Sequence, residues 1–296
     1  MIYRIYKKEI VLPVLSVILI LILTGAIWNK LVKSHKDWVR ENLAQTGKLA
    51  SQEFNLVLKQ SIESIENLKT RLEYTDGKNF KYWKDDAQLL LEQHPSIHFV
   101  EWINSNMVIK SIVPLIGNKS VLGLDISKIV YRKKEWVEHS FDDSTNITPW
   151  ANMIQGGQAF LIDVPVYFQN RFRGTITAGM DFMENLIKIT ESLDGYPIEV
   201  RDNDGAVFYK SNTRDIDKKT DDLVYEEKIL IDKLHGKYWS IRMYPSKSSF
   251  SPNRLHLINY FLITGIIFAL LSGFLVYFYL KSEKLAKRAT GFNNTL

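Results

Sequence analysis

Two stretches of this chain are free of charge for longer than most soluble proteins tolerate. Residues 10–29, IVLPVLSVILILILTGAIWN, and residues 255–280, LHLINYFLITGIIFALLSGFLVYFYL, contain no Asp, Glu, Lys or Arg. A helix rises about 1.5 Å per residue, so a bilayer core of ~30 Å needs roughly 20 apolar residues. The first run meets that length, and the second exceeds it and can tilt. A buried core helix is the competing reading, but helices apolar on every side at this length are uncommon in soluble domains of this size. The start of the chain, with Arg4, Lys7 and Lys8, also fits a signal peptide. Its apolar stretch is longer than the usual ~7–15 residues and no small-x-small cleavage site follows, which favours an uncleaved anchor.

Charge orients the two spans. Residues 1–9 and 281–296 hold Arg4, Lys7, Lys8, Lys281, Lys284, Lys287 and Arg288 against Glu9 and Glu283, a net +5 that equals the charge of the whole 296-residue chain. The segment between the spans is therefore neutral, and the basic balance belongs to membrane flanks and not to a nucleic-acid surface. The positive-inside rule places both tails in the cytoplasm and the middle outside the inner (plasma) membrane. Lys30, Lys33 and Lys36, just past the first span, pull the other way; the second span has the clearer asymmetry. With no cysteine, disulfides and thiolate metal sites are excluded.

Between the spans the pattern is that of a folded domain. Residues 28 to about 73 read as one long helix, with apolar residues at Leu31, Trp38, Leu43, Leu49, Phe54, Leu58, Ile62, Ile65, Leu68 and Leu72 near a helical period. Such a helix can pack on its own domain or pair with a second copy; we expect pairing near the membrane and docking further out. Thr75-Asp-Gly-Lys breaks it, and a second helix follows over 80–93. Strands are expected at 98–103, 108–114, 158–167 and 173–181, helices at 128–139 and 183–193, and a tight connection at Gln169-Asn170-Arg171. A smaller pattern comes next: strands at 197–202 and 206–210 around an Asn203-Asp204-Gly205 hairpin turn, a polar loop at 211–222, and strands at 223–230 and 237–244.

The middle segment resembles the CHASE family of extracellular sensors. The resemblance is carried by His94-Pro-Ser-Ile-His-Phe-Val-Glu-Trp102, Ile112-Val-Pro114 with Leu122-Gly-Leu-Asp125, Val164-Pro-Val-Tyr167 and Arg173-Gly-Thr-Ile-Thr-Ala-Gly-Met-Asp181. It covers residues 80–193 and extends more loosely to 244; residues 125–149 depart from it. A double Cache sensor shares the long helix, two subdomains and the Asp-Asn-Asp-Gly hairpin; the Glu-Trp, Gly-Leu-Asp and Pro-Val-Tyr set favours CHASE. The implied fold is α+β, a long N-terminal stalk helix with two PAS-like subdomains flanked by two transmembrane helices. The implied layout is a cytoplasmic N-terminus at 1–9, a span at 10–29, the stalk at 30–75 and a membrane-distal subdomain at 76–194. A membrane-proximal subdomain at 195–248, a span at 255–280 and a cytoplasmic linker at 281–296 complete it.

No catalytic pattern emerges. The histidines His35, His94, His98, His139, His235 and His256 lie in no metal-ligand spacing, and no phosphate loop or nucleophile elbow is present. We expect no catalytic residue, no metal ligand and no cofactor. Asp142-Asp143 and Gly156-Gly157 carry no chemistry by themselves. A ligand pocket fits better. The resemblance makes Asp125 a ligand-contacting acid; a helix N-cap is its plainer reading. Asn146 and Gln155 fall near other ligand-contacting positions, and exposed loop polars are their plainer reading. Trp102, Trp150 and Phe160 are candidate pocket walls or plain core. Thr177 and Met180 face either the pocket or the core. The expectation is a sensor that binds a small molecule, sits in the lipid bilayer and pairs as a homodimer through stalk and spans. It would signal to a cytoplasmic output domain, a histidine kinase or diguanylate cyclase, outside these residues. A membrane-anchored binding protein without signalling is the alternative.

Overall fold

Apolar spacing explains the first helix. In a computed structural model, which describes residues 2–193, 196–211, 223–245 and 252–293, α1 runs over Ile2–Tyr74. Its buried stripe is Leu43, Ala50, Phe54, Leu58, Ile65, Leu68 and Leu72, at helical steps. Leu49, expected on that stripe, is 63% exposed; small Ala50 and Ser51 face inward in its place. The helix ends where Asp76 and Gly77 take positive φ and the Gly77 amide closes on the Leu72 carbonyl at 2.9 Å.

The chain forms two compact units, Met1–Asn42 with Lys247–Leu296, and Leu43–Ser246. In the first, α1 meets the last helix, α5 (Pro252–Asn293). Gly265, Ala269 and Gly273 lie one turn apart on α5; Ala269 is fully buried, and a side chain at either glycine would run into Thr24 or Val17 of α1. Small residues that let two backbones approach are how helices associate in lipid, where no hydrophobic effect drives them together. Among the described residues, two helices are long and apolar enough to cross a membrane, within Ile10–Tyr74 and His256–Arg288.

In the second unit, α2 (Trp83–Gln93) leads into β1 (Ile97–Asn104) and β2 (Ile109–Val113). A 3-10 turn at Ile126–Lys128 precedes α3 (Val130–Asp142). Two short strands, β3 (Asn146–Ile147) and β4 (Ala151–Asn152), come before the long hairpin of β5 (Gln158–Phe168) and β6 (Arg171–Met180). Gln169 and Asn170 form its two-residue turn with φ of 55° at both, the geometry that matches strand twist. The sheet order is β2-β1-β6-β5-β3, with β4 added to β5. After α4 (Met183–Glu191), β7 (Ile198–Arg201), β8 (Val207–Lys210), β9 (Tyr225–Asp232) and β10 (Lys237–Met243) form a second antiparallel sheet, ordered β8-β7-β10-β9. The polar loop expected at 211–222 lies almost wholly outside the described residues.

Strand alternation gives the first sheet two faces. One carries Val100, Trp102, Ile162, Val164, Ile176 and Ala178 and joins the core that includes the α1 stripe. Trp239 of β10 closes that core, with ring centroids 4.5 Å from Phe160, 5.0 Å from Phe208 and 6.0 Å from Phe54. The other face carries Phe99, Ile103, Ile109, Leu161 and, from α3, Trp136.

Candidate functional site

In the middle of that second face the apolar pattern is interrupted. The strand registers place Glu101 of β1, Thr177 of β6, Asp163 of β5 and Asn146 of β3 side by side, one row across the sheet. All four are at most 4% exposed. Buried polar groups must find partners; Asp163 and Thr177 do, and Asn146 does through its Nδ2 while its Oδ1 has none. Arg132, from the first turn of α3, is 3% exposed and grips Asp163 with two hydrogen bonds, Nη1 to Oδ2 at 2.7 Å and Nη2 to Oδ1 at 3.1 Å. The Thr177 hydroxyl donates to Asp163 Oδ1 at 2.6 Å and the Asn146 amide to Oδ2 at 3.3 Å. Trp136 Nε1 donates to Thr175 at 2.9 Å, so α3 is tied to the sheet at a second point.

Glu101 is the exception. Among the described residues no group donates a hydrogen bond to its carboxyl. Burial pushes its pKa up to about 7; Arg132 pulls it down and the Asp163 charge pushes it further up. Glu101 and Arg132 line a hollow of about 60 Å³ with Phe99, Ile109, Val121 and Leu161. Its roof includes Asn152 to Gln155, in a turn closed by mutual backbone hydrogen bonds of Met153 with Gly156 and Gly157. That volume holds a few waters or one small head group. A larger hollow of about 620 Å³ lies between α1 and the Asp143–Thr145 segment, but Lys59, Glu63, Glu66 and Lys69 make it an ion-lined surface groove. The small hollow carries the more unusual chemistry.

Of the residues expected at a site, the structure brings Asn146, Thr177 and Gln155 to this face, the first two in the polar row and the third in the roof. Asp125 caps the 3-10 turn: its Oδ1 accepts from the Ser127 amide at 3.0 Å and hydroxyl at 2.6 Å, and those bonds lower its pKa. Trp102, Phe160 and Met180 lie in the core on the opposite face, and Trp150 packs against Phe160 with centroids 4.8 Å apart. Neither Asp125 nor any of these four lines the Glu101 hollow. Sequence reasoning missed Glu101, Arg132 and Asp163 as site residues. The available signal was a lone acid inside each of two apolar runs, Phe-Val-Glu-Trp and Leu-Ile-Asp-Val.

No protein-family model matches the chain, and no curated protein matches it. Solved structures do. An extracellular ligand binding receptor from Desulfohalobium retbaense is 17% identical with a TM-score of 0.55; the match covers 68% of this chain and 40% of that one. The chain thus spans about two fifths of that receptor's length. The sensory domain of the Campylobacter jejuni chemoreceptor Tlp3, with isoleucine bound, is 12% identical with a TM-score of 0.53, covering 74% of this chain and 97% of that one. The extracellular domain of a candidate histidine kinase, soHK1S-Z6, is 13% identical with a TM-score of 0.51, covering 74% and 98%. The fold is thus that of the extracellular sensory and ligand-binding domains of chemoreceptors and histidine kinases.

Proposed function

We propose that the chain is a membrane-anchored extracytoplasmic sensor. A small ligand enters the hollow above the polar row, and the event passes across the membrane to a cytoplasmic output domain, a histidine kinase in the first instance. Both tails lie in the cytoplasm. The observation that carries this reading is the Glu101 carboxyl, a buried acid that lines the hollow with only charge interactions acting on it. A buried acid with no protein donor beside it is costly to ionise, and such a group lining a hollow is a candidate contact for a ligand. Its complement is a protonated amine. Arg132 is already taken up by Asp163, so the acid alone selects the ligand, and a small amine or the ammonium group of an amino acid is the fitting class. The hollow admits the head group only; the rest needs the Met153–Gly157 turn to move, and Ile154 there is 61% exposed.

The test is a thermal-shift screen of amino acids and small amines against the full chain in nanodiscs, beside Glu101→Gln. A compound that stabilises the parent by several degrees and leaves Glu101→Gln unmoved supports the site. Equal shifts in both remove it. The CHASE assignment rests on the motifs, chiefly Gly-Leu-Asp125, and gives the opposite outcome: Asp125→Ala loses the response while Glu101→Gln keeps it. The double Cache alternative draws on the arrangement of two sheets against one long helix.

A further inference from the structure

We propose that His139, Asp232 and His235 form a binding site for a divalent transition metal, zinc in the first instance, joining the end of α3 to the β9–β10 turn. The proposal goes beyond the sensory reading and uses none of the residues of the Glu101 hollow. One ligand atom from each of the three residues lies within 4.8 Å of the others. Asp232 ends β9 fully buried, and its Oδ1 accepts from the Leu234 and His235 amides at 2.9 and 3.2 Å. That turn aims Oδ2 at both imidazoles, 3.3 Å from His139 Nε2 and 2.8 Å from His235 Nδ1. Zinc bonds to nitrogen and oxygen of about 2.0–2.1 Å set tetrahedral edges near 3.3 Å. The first separation already matches, and the second needs His235 to withdraw by a few tenths of an ångström.

The second, independent observation is His139 itself. Its side chain is 1% exposed, its Nδ1 sits 2.9 Å from the Ser144 hydroxyl, and its Nε2 has no hydrogen-bond partner. When Nδ1 donates to Ser144, the Nε2 lone pair faces a carboxylate oxygen with nothing between them. Two acceptors in that arrangement repel unless a cation or a proton sits there. The surroundings favour a cation. Glu138 Oε2 lies 3.0 Å from His235 Nε2, the carboxylate–histidine pairing that orients a metal-bound imidazole. Lys237 Nζ stands 3.9 Å from Asp232 Oδ2, but it is paired to Glu135. Two histidines and one carboxylate leave a coordination position open for water or for a ligand atom. Neither His139 nor Asp232 is close to the other in sequence, so no spacing motif announces the set.

The experiment is equilibrium dialysis of the chelator-stripped full chain, without a polyhistidine tag, against zinc chloride, with cobalt absorption as a second readout. One zinc per chain is expected at micromolar free metal, unchanged in His98→Ala. His235→Gln, at a half-exposed position tolerant of change, should lose it. Glu138→Gln should weaken it about 10-fold, the usual effect of removing an orienting carboxylate. His139→Gln should lose it too, with circular dichroism reporting whether it folds. No zinc on the parent chain, or equal zinc on His235→Gln, overturns the proposal. The first of those outcomes assigns the cluster to a proton-held His139–Asp232 pair.

Discussion

At position 101 a carboxyl group is held in a hydrophobic sheet face without a hydrogen bond, and its acidity follows from that. The folded pKa, near 7, stands above the unfolded value of 4.5. Below 4.5 the acid is neutral in both states. As pH rises towards 7 the unfolded chain releases this proton first, so folding stability falls, by on the order of 3 kcal/mol in total. Thermal melts between pH 5 and 8 should show this slope in the parent and not in Glu101→Gln. A cationic ligand would reverse the preference, binding more tightly as Glu101 ionises. Asp163 presents the contrary case, with its charge fully answered by Arg132, Thr177 and Asn146. Asp163→Ala strands a buried guanidinium and should cost about 3–5 kcal/mol in denaturant unfolding. Only part of this was legible in the sequence. Of the two sequence readings of Asp125, ligand contact and N-cap, the structure shows the cap, which was legible because capping is local. Arg132 and Asp163 lie 31 residues apart, and a lone charge in a strand resembles an ordinary solvent-facing alternation until the helix that covers it is placed.

At the scale of elements, close approaches decide where helices can lie. Gly47 on α1 abuts the ring of Tyr225 on β9, and an added Cβ would overlap that ring. Gly47→Ala should destabilise the domain by about 1–3 kcal/mol, and a second change, Tyr225→Ala, should recover part of it; urea melts of the four chains give the coupling. The same logic applies in the spans. Leucine at Gly265 or Gly273 must push α5 away from α1. Disulfide cross-linking between cysteines introduced at Thr24 and Gly265 should fall when Gly273 is leucine, and between Val17 and Gly273 when Gly265 is leucine. Long elements were readable because their periodicity runs for many residues: the C-terminal end of α1, α2 and the β5–β6 hairpin lie within a few residues of their expected bounds, whereas α1, expected to begin at 28, continues without a break through the first apolar run to Ile2. The two-residue strands β3 and β4 were not, since two residues carry no period.

For the whole molecule, topology is the first question, and a chain without cysteine answers it cleanly. Single cysteines placed at Lys284 and at Glu92 should be labelled by a membrane-impermeant thiol reagent only at the second position in intact cells. Labelling at Lys284 alone would invert the proposed orientation. Exposed Leu49 and Leu56 lie seven residues apart on α1, as a seam between two copies would require. Leu49→Cys should cross-link as a dimer if the stalks pair. The polar row has a further consequence, for assembly of the sheet. A strand shifted by one residue turns every side chain to the other face. Slipping β1 would drive Glu101 into the core on the opposite face, and slipping β5 would drive Asp163 there and leave Arg132 without its partner. Wrong registers thus strand one or two buried charges, and the row acts as a proofreading device: it costs stability in the correct sheet and makes every neighbouring error worse.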